Sequence, residues 1–393
     1  MTKLRDGVIR RGKTWSYVIR VTDASGVSKP RWVGGFTTEE GAKAARDEAR
    51  VAARRGQFVH RNQLTVEAYL RGWLEGHALE VKPKTYEDYR SLIERYVVPR
   101  IGRMRLQSVK PSTLSTFYAT LRREGGASGQ GLSPRTVNYV HSVLRKAFND
   151  AVNTDQVIAV NPATRAKRPP VEGVSQVHEI WDASQLARFL DEIKADRLYP
   201  YFRLAAFTGA RRGELLFLRW SSVVLDGDDP HIWIRGATVI VRGRRVEGTT
   251  KTGRVRRVSL DPGTAEVLRE HAERQAKERD LVVGSWPGGD WVFRMEMGTP
   301  LRTDLPGELM RSTFNRVNRE RRVLPPIRFH DLRHVHATLL LQDGEPVHVV
   351  AERLGHADPS MTLRVYAHVI RSQRASSASR FARIMGEIQG TEQ

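Results

Sequence analysis

The sequence predicts a multidomain α+β protein. Residues 1–60 form a small three-stranded sheet backed by a helix, residues 61–165 an all-helical bundle, and residues 175–393 a mainly helical domain with a small antiparallel sheet. Three observations carry this expectation. Alternating aromatic and polar residues near the start have strand periodicity, helix-spaced apolar residues then fill 64–160, and after a Pro-rich basic stretch the helical pattern returns mixed with short β-branched runs. With 393 residues, 40% of them hydrophobic, each part is long enough to bury a core. The chain has no Cys, so disulfide scaffolds, thiol catalysis and Cys-ligated metals are excluded.

In the first segment Trp15, Tyr17, Ile19 and Val21 alternate with Ser16, Val18 and Arg20, giving a strand with one aromatic-rich face. A turn at Asp23 to Gly26 feeds a second run, Arg31 to Phe36. Thr37 and Glu40, three apart, read as a capping box that opens an Ala-rich helix from Thr38 to about Arg55. Arg10, Arg11, Lys13, Arg20, Lys29 and Arg31 stand on these strands and turns. A narrow basic sheet suits a DNA major groove, although an ordinary solvated sheet face has the same sequence pattern.

The second segment reads as four helices. Thr65 precedes Val66, Tyr69, Leu70, Trp73 and Leu74, while Tyr89, Leu92, Ile93 and Tyr96 repeat the spacing until Pro99, which is expected to stop that helix. Ser112 is the expected cap for Leu114, Phe117, Tyr118 and Leu121; Ser133 with Pro134 opens Val137, Val140, Leu144, Ala147 and Phe148. Aromatic residues at this spacing are expected in the core rather than on a base-stacking platform. Asn161 to Pro170, with three Pro and the bases Arg165, Lys167 and Arg168, reads as a linker to a separate domain.

In the third segment Ile232–Ile234, Thr238–Val241 and Val255–Leu260 are β-branched runs, the last two expected to be joined by a Gly- and Thr-rich turn that holds Lys251. Thr208-Gly209-Ala210-Arg211-Arg212-Gly213-Glu214 interrupts an apolar helix, and an Arg and a Glu between buried segments are costly unless paired or bound to a ligand. His330 and Arg333, three apart, share a helix face. Leu354-Gly355-His356 follows, with Tyr366 ten residues beyond His356.

The excess of 65 Lys and Arg over 44 Asp and Glu gives a formal charge of +21 and a pI near 10.6, which calls for a polyanionic partner. Residues 1–60 hold +7 of it, 61–172 hold +8 and the remainder +6. Of the basic residues 53 are Arg, which suits bidentate phosphate binding, although GC-rich codon usage produces the same ratio. No apolar run approaches the roughly 18 residues of a membrane span, and Met1 to Gly12 lacks the apolar stretch of a signal peptide, so a reducing cytoplasm is the expected compartment.

The ordered set T-G-x-R-x-x-E, a turn Lys, H-x-x-R, L-G-H and a final Tyr resembles the tyrosine recombinases of the phage integrase family. It maps onto Arg211, Lys251, His330, Arg333, His356 and Tyr366, six positions over 155 residues. Val335 and Ser222 depart from residues common in the family, at positions that carry none of its chemistry. The first segment is similar to integrase arm-binding domains and the second to the helical, SAM-like core-binding domain. The resemblance implies a site-specific integrase that cuts and rejoins DNA through a covalent 3′-phosphotyrosine and inserts a phage or mobile element into a chromosome. It makes Tyr366 the nucleophile, Arg211 and Arg333 the phosphate clamps, Lys251 the general acid, and His330 and His356 phosphate ligands and proton carriers. Glu214 would hold one of these groups in place. Neither metal nor other cofactor is implied. Implied partners are duplex DNA at core-type and arm-type sites, a homotetramer that exchanges C-terminal helices, a DNA-bending host factor and an excisionase, all at the nucleoid.

Other readings fit less well. His330 and His334 have the spacing of a zinc protease motif, but Asp331 replaces its Glu and Arg333 would repel the metal. A type IB topoisomerase uses a similar residue set, yet has no use for a separate sheet domain that reads a second class of site. A non-catalytic DNA-binding regulator would not need every chemical position filled. The stripe Phe381, Ile384, Met385 and Ile388 suits a terminal helix that docks either on a neighbouring catalytic domain or on its own.

Overall fold

The computed structural model describes residues 7–22, 28–54, 59, 62–126, 128–170, 180–282, 284, 286–319, 324–360, 362, 363, 381 and 385. The expected turn at Asp23 to Gly26, the nucleophile Tyr366, and Ile384 and Ile388 of the terminal stripe lie outside these residues. The chain divides into two compact units, Met1–Glu172 and Gly173–Gln393.

The first unit opens with strands β1 (Val8–Arg11), β2 (Thr14–Thr22) and β3 (Ser28–Phe36), antiparallel in the order β1-β2-β3. Helix α1 (Glu39–Arg54) covers one face, where Val8, Tyr17 and Ile19 pack with Ala42 and Ala49. The capping residue is Thr38, not Thr37: its hydroxyl accepts from the Gly41 N–H at 3.1 Å, so the helix begins one residue later than the sequence pattern suggested.

The bundle follows with α2 (Val66–His77), α3 (Pro83–Leu92), α4 (Val98–Ile101), α5 (Pro111–Glu124) and α6 (Pro134–Asn153). Ser133 caps α6 as expected, and Thr65 caps α2. The aromatic stripes are core: Tyr69 and Trp73 are buried, and their polar tips bond to Ala147 O, Asp155 and Asp150 inside the bundle. Pro99 does not stop the helix before it. A π-helical turn at Ile93–Val97 carries the chain on, and Pro99 sits in the first turn of α4, where its missing N–H is not needed. Ser112 is not a cap either, since α5 begins at Pro111 with Lys110 before it.

The expected linker is part of the bundle. Asn161 caps a 3-10 turn at Pro162–Arg165, Asn138 Nδ2 donates to Pro169 O at 2.8 Å, and Lys167 N donates to Ser115 Oγ at 2.8 Å. Prolines that looked like spacer residues are held by buried Asn side chains instead.

The second unit contains α7 (Ala183–Glu192), α8 (Tyr199–Thr208), α9 (Arg212–Phe217), β4 (Val223–Val224), β5 (His231–Ile234), β6 (Gly236–Val241), β7 (Arg244–Thr249), β8 (Arg256–Ser259), α10 (Pro262–Leu281), α11 (Leu305–Val317), α12 (Asp331–Asp343) and α13 (Val347–Leu354). Strands β4-β5-β8 form one sheet and β6-β7 a hairpin. The run Thr238–Val241 therefore pairs not with Val255–Leu260 but with Arg244–Thr249, a strand without apolar alternation. Lys251 lies in the turn between β7 and β8. One apolar core, from Trp181 through Phe202 and Leu215 to Val335, joins the helices to the inner face of β5 and β8. Among the described residues no helix is long and apolar enough to cross a membrane.

Candidate active site

Two helix ends build the centre of the site. Helix α8 stops where Gly209 turns left-handed (φ 62°, ψ 18°), its N–H on Ala205 O at 3.0 Å. A side chain is excluded there by space as well as by backbone, because a Cβ would lie 2.6 Å from Leu354 Cδ2 and 2.9 Å from His336 Cδ2. The turn sets Arg211 in extended geometry just before α9. Helix α13 ends the same way at Gly355 (φ 69°, ψ 44°), which places His356.

A single guanidinium bridges both ends. Arg333, on α12 and 4% exposed, donates from Nη1 to Gly209 O at 2.8 Å and from Nη2 to Leu354 O at 2.7 Å. A second tie lies one turn away. His336 Nδ1 is 2.9 Å from Ala206 O, and because a carbonyl only accepts, Nδ1 carries the proton; Nε2 then accepts from Arg353 Nε at 3.2 Å. Burial, followed by the Arg353 charge, pushes His336 down to about 3. Arg353 also donates to Phe207 O at 2.9 Å, the last turn of α8.

Glu214, 1% exposed, takes four donors: Arg211 N at 2.9 Å, Arg211 Nη1 at 2.8 Å, and Arg256 Nη1 and Nη2 at 3.1 and 2.7 Å. Burial alone would raise this carboxyl, but the hydrogen bonds and charge of Arg256, with the charge of Arg211, hold it below the ordinary carboxylate range. The costly polar interruption of the sequence is thus resolved by pairing.

Two imidazoles stand beside these cations. His330 leads into α12 with its ring edge-on to His334 at 5.4 Å. Its surface is exposed, yet crowding by protein is the largest cause that pushes it down to about 4, followed by the charges of His334, Arg333 and Arg211. His356 is pushed down to about 4 by burial and then by Arg333, Arg211 and Arg256, and its Nδ1 lies 2.7 Å from Thr362 Oγ1. Both rings are neutral near pH 7, so each has one N–H to donate and one nitrogen to accept a proton.

Arg211, Glu214, His330, Arg333 and His356 are therefore brought together. Lys251 is exposed on a turn closed by Gly253 N on Thr250 O at 3.0 Å and by Thr250 Oγ1 on Arg254 O at 2.9 Å. Among the described residues no group of three His, Asp or Glu is placed to hold a metal. Sequence reasoning passed over Arg256, Arg353 and Thr362. Arg256 alone had a signal, since it alternates with Val258 on the inner face of a strand.

The basic residues of the first unit separate by face. Arg11 and Arg20 belong to the sheet face away from α1, where the Arg11 guanidinium lies 4.4 Å from the ring centre of the exposed Trp32. Arg20 is tied to Ser28 Oγ at 3.2 Å. Arg31 is opposite Ile19 and Lys29 opposite Val21 in the ladder, and Arg10 is opposite Trp15, all on the helix side although exposed. Lys13 is exposed in the turn between β1 and β2. Arg165, Lys167 and Arg168 are exposed along one short stretch, with Arg168 Nη1 on Asn138 Oδ1 at 2.6 Å.

Paired guanidiniums beside neutral imidazoles suit an anionic diester, and with a basic helical bundle in the same chain the class is an enzyme that rearranges DNA strands. The chain belongs to the phage integrase family, which matches residues 176–373, with the N-terminal SAM-like domain of phage integrases matching residues 65–122. It is a tyrosine recombinase. It is 28% identical over 390 residues to a tyrosine recombinase XerC-like protein of Caldanaerobacter subterraneus subsp. tengcongensis, covering 94% of this chain and 96% of that one. In fold it is similar to the Tn1549 transposon integrase in complex with a circular intermediate DNA (TM-score 0.66, 20% identity, 80% and 99% of the two chains). It is also similar to a lambda integrase dimer bound to a COC′ core site (TM-score 0.54, 18% identity, 93% and 95% of the two chains).

Proposed function

We propose that this recombinase is an integrase of a phage or mobile element, with arm-type DNA bound by residues 1–60, core-type DNA by 61–165 and strand exchange catalysed by 175–393. The observation that carries the reading is the single cluster of Arg211, Arg333, His330 and His356, built on two glycine-ended helices and tied by Arg333.

Arg211 and Arg333 neutralise the non-bridging oxygens of the scissile phosphate and orient it; each such donor is worth about 2.7–4 kcal/mol of barrier. The Tyr366 hydroxyl attacks phosphorus and gives its proton to a neutral imidazole, His330 or His356. The bond from phosphorus to the 5′-oxygen breaks, Lys251 protonates that oxygen, and the 3′-phosphate remains on Tyr366. A phenol, with pKa near 10, is a better leaving group than an alcohol. The step therefore reverses readily onto another strand. Four copies on DNA, joined through residues after Tyr366 that include the exposed Phe381 and Met385, exchange strands in pairs. A bending protein and an excisionase assist at the arm sites, and the reaction takes place at the nucleoid.

The test is a core-site duplex nicked beside the scissile phosphate, so that the cleaved fragment is lost. The parent chain accumulates a covalent protein–DNA adduct and Tyr366→Phe forms none. An adduct that persists in Tyr366→Phe refutes the assignment.

A further inference from the structure

We propose that Arg256 is a positioning residue for strand cleavage: it fixes Arg211 through Glu214, fixes His356 through the end of α13, and anchors the strand that follows the Lys251 turn. The proposal rests on the roles of Arg211, Lys251 and His356 given above.

Strand alternation turns Arg256 inward with Val258, while Arg257 points out to Asp229. Arg256 is 9% exposed, and each of its three nitrogens has a partner. Nη1 and Nη2 fork onto the two oxygens of Glu214, and Nε donates to Arg353 O at 3.0 Å. Three of its five N–H donors are thus committed to protein groups, and the role proposed for it is to hold Glu214 and the end of α13 rather than to contact the DNA phosphate.

Three features make this more than a buried ion pair. Glu214 shares the same two oxygens with the Arg211 backbone N–H and Nη1, so a displaced Arg256 moves the acceptor that sets both the start of α9 and the Arg211 guanidinium. The Gly355 backbone lies against the Arg256 guanidinium, where a Cβ would stand 2.8 Å from Nη1 and 3.0 Å from Cζ, and His356 follows directly. Arg256 also comes five residues after Lys251, with Thr250, 1% exposed, at the other end of the turn. Five residues span at most about 17 Å, so the fixed strand limits how far Lys251 can travel.

The test uses the full chain and the nicked core-site duplex, with the single-turnover rate of adduct formation measured beside DNA affinity. Arg256→Gln is expected to cleave about 10²-fold more slowly at unchanged affinity. Arg256→Lys should recover only part of this, because an ammonium cannot fork onto a carboxylate. A methylphosphonate at the scissile position, which has one anionic oxygen fewer, separates positioning from loss of structure: most of the deficit of Arg256→Gln and of Arg211→Ala should disappear on it. A deficit in Arg256→Gln that is equal on both substrates overturns the proposal. Should Arg256→Gln fail to fold, Glu214→Gln with Arg256→Met removes the unpaired charge, and parent-rate cleavage by that folded double variant also overturns it. Arg211→Ala is the control for the underlying site: if it cleaves at the parent rate, the reading of the site falls; if it is slow while Arg256→Gln is fast, only the positioning role falls.

Discussion

Replacing Gly209 by alanine tests whether the turn before Arg211 is locked by both backbone and packing. At φ 62° a Cβ costs about 1–2 kcal/mol. The new methyl would also stand 2.6 Å from Leu354 and 2.9 Å from His336, both buried, so the α12–α13 layer must shift at about 1–3 kcal/mol. The sum is about 2–5 kcal/mol, and for a unit of this size each kcal/mol lowers Tm by about 2–4 °C, so a fall on the order of 10 °C is expected. Gly243→Ala is the matched control. Gly243 also has positive φ, 74°, but a Cβ there meets nothing within 4 Å, so only the backbone cost applies. Calorimetry of the two variants separates the terms. Adduct formation measured well below either Tm should be slowed in Gly209→Ala alone, because Gly209 O is a ligand of Arg333. Equal Tm values for the two variants, or parent-rate cleavage by Gly209→Ala, would refute the locked turn.

Three further outcomes are expected. Glu214→Gln leaves Arg211 and Arg256 around a neutral amide and should lower unfolding stability by about 3–5 kcal/mol in a denaturant titration; a loss under about 1 kcal/mol would show that the carboxylate is dispensable. His336 and His271, both buried, titrate at about 3 and about 4 when folded and near 6.5 when unfolded. Below pH 6.5 the unfolded chain therefore takes up protons that the folded chain refuses, so the denaturation midpoint should fall as pH drops from about 6.5 towards 4; a midpoint that rises over this window contradicts the assignment. Arg165→Ala and Lys167→Ala should each weaken core-site binding across sequences and reduce the salt slope by about 1, whereas Arg11→Ala should affect arm-site binding alone; anisotropy titrations at several salt concentrations decide it.

Motif residues of the described site were legible because their surroundings constrain residue type: a Gly that must turn left-handed, an Arg that bridges two helix ends, a Glu that has to be paired. Helices α2 and α6 were legible for a different reason, a strong apolar period with Thr65 or Ser133 at the start. Strand β7 was not, since Arg-Arg-Val-Glu-Gly-Thr has no buried face and owes its conformation to pairing with β6. Asn161 to Pro170 misled in the opposite sense. Its composition is that of a spacer, and tertiary contacts, among them those of Asn138, Ser115 and the Arg145 carbonyl, hold it to the bundle. Pro99 shows a third kind of limit, because the π-helical turn that accommodates it is a backbone solution with no residue signature. Arg256 belongs to no motif. Its role appears only when β8 is set beside Glu214 and the end of α13.

Helices α8 and α13 both end on Arg333. Each helix C-terminus carries roughly half a negative elementary charge, so the two together come close to balancing one guanidinium. The peptide backbone thus acts as a built-in counter-ion. In the absence of DNA, Arg333 can stay buried near Arg211 and Arg256 without an anion from solution to hold the cluster together. On the role proposed for Arg333, an arriving phosphate would join carbonyl ligands already in place, so this guanidinium would not have to be re-oriented at each binding event.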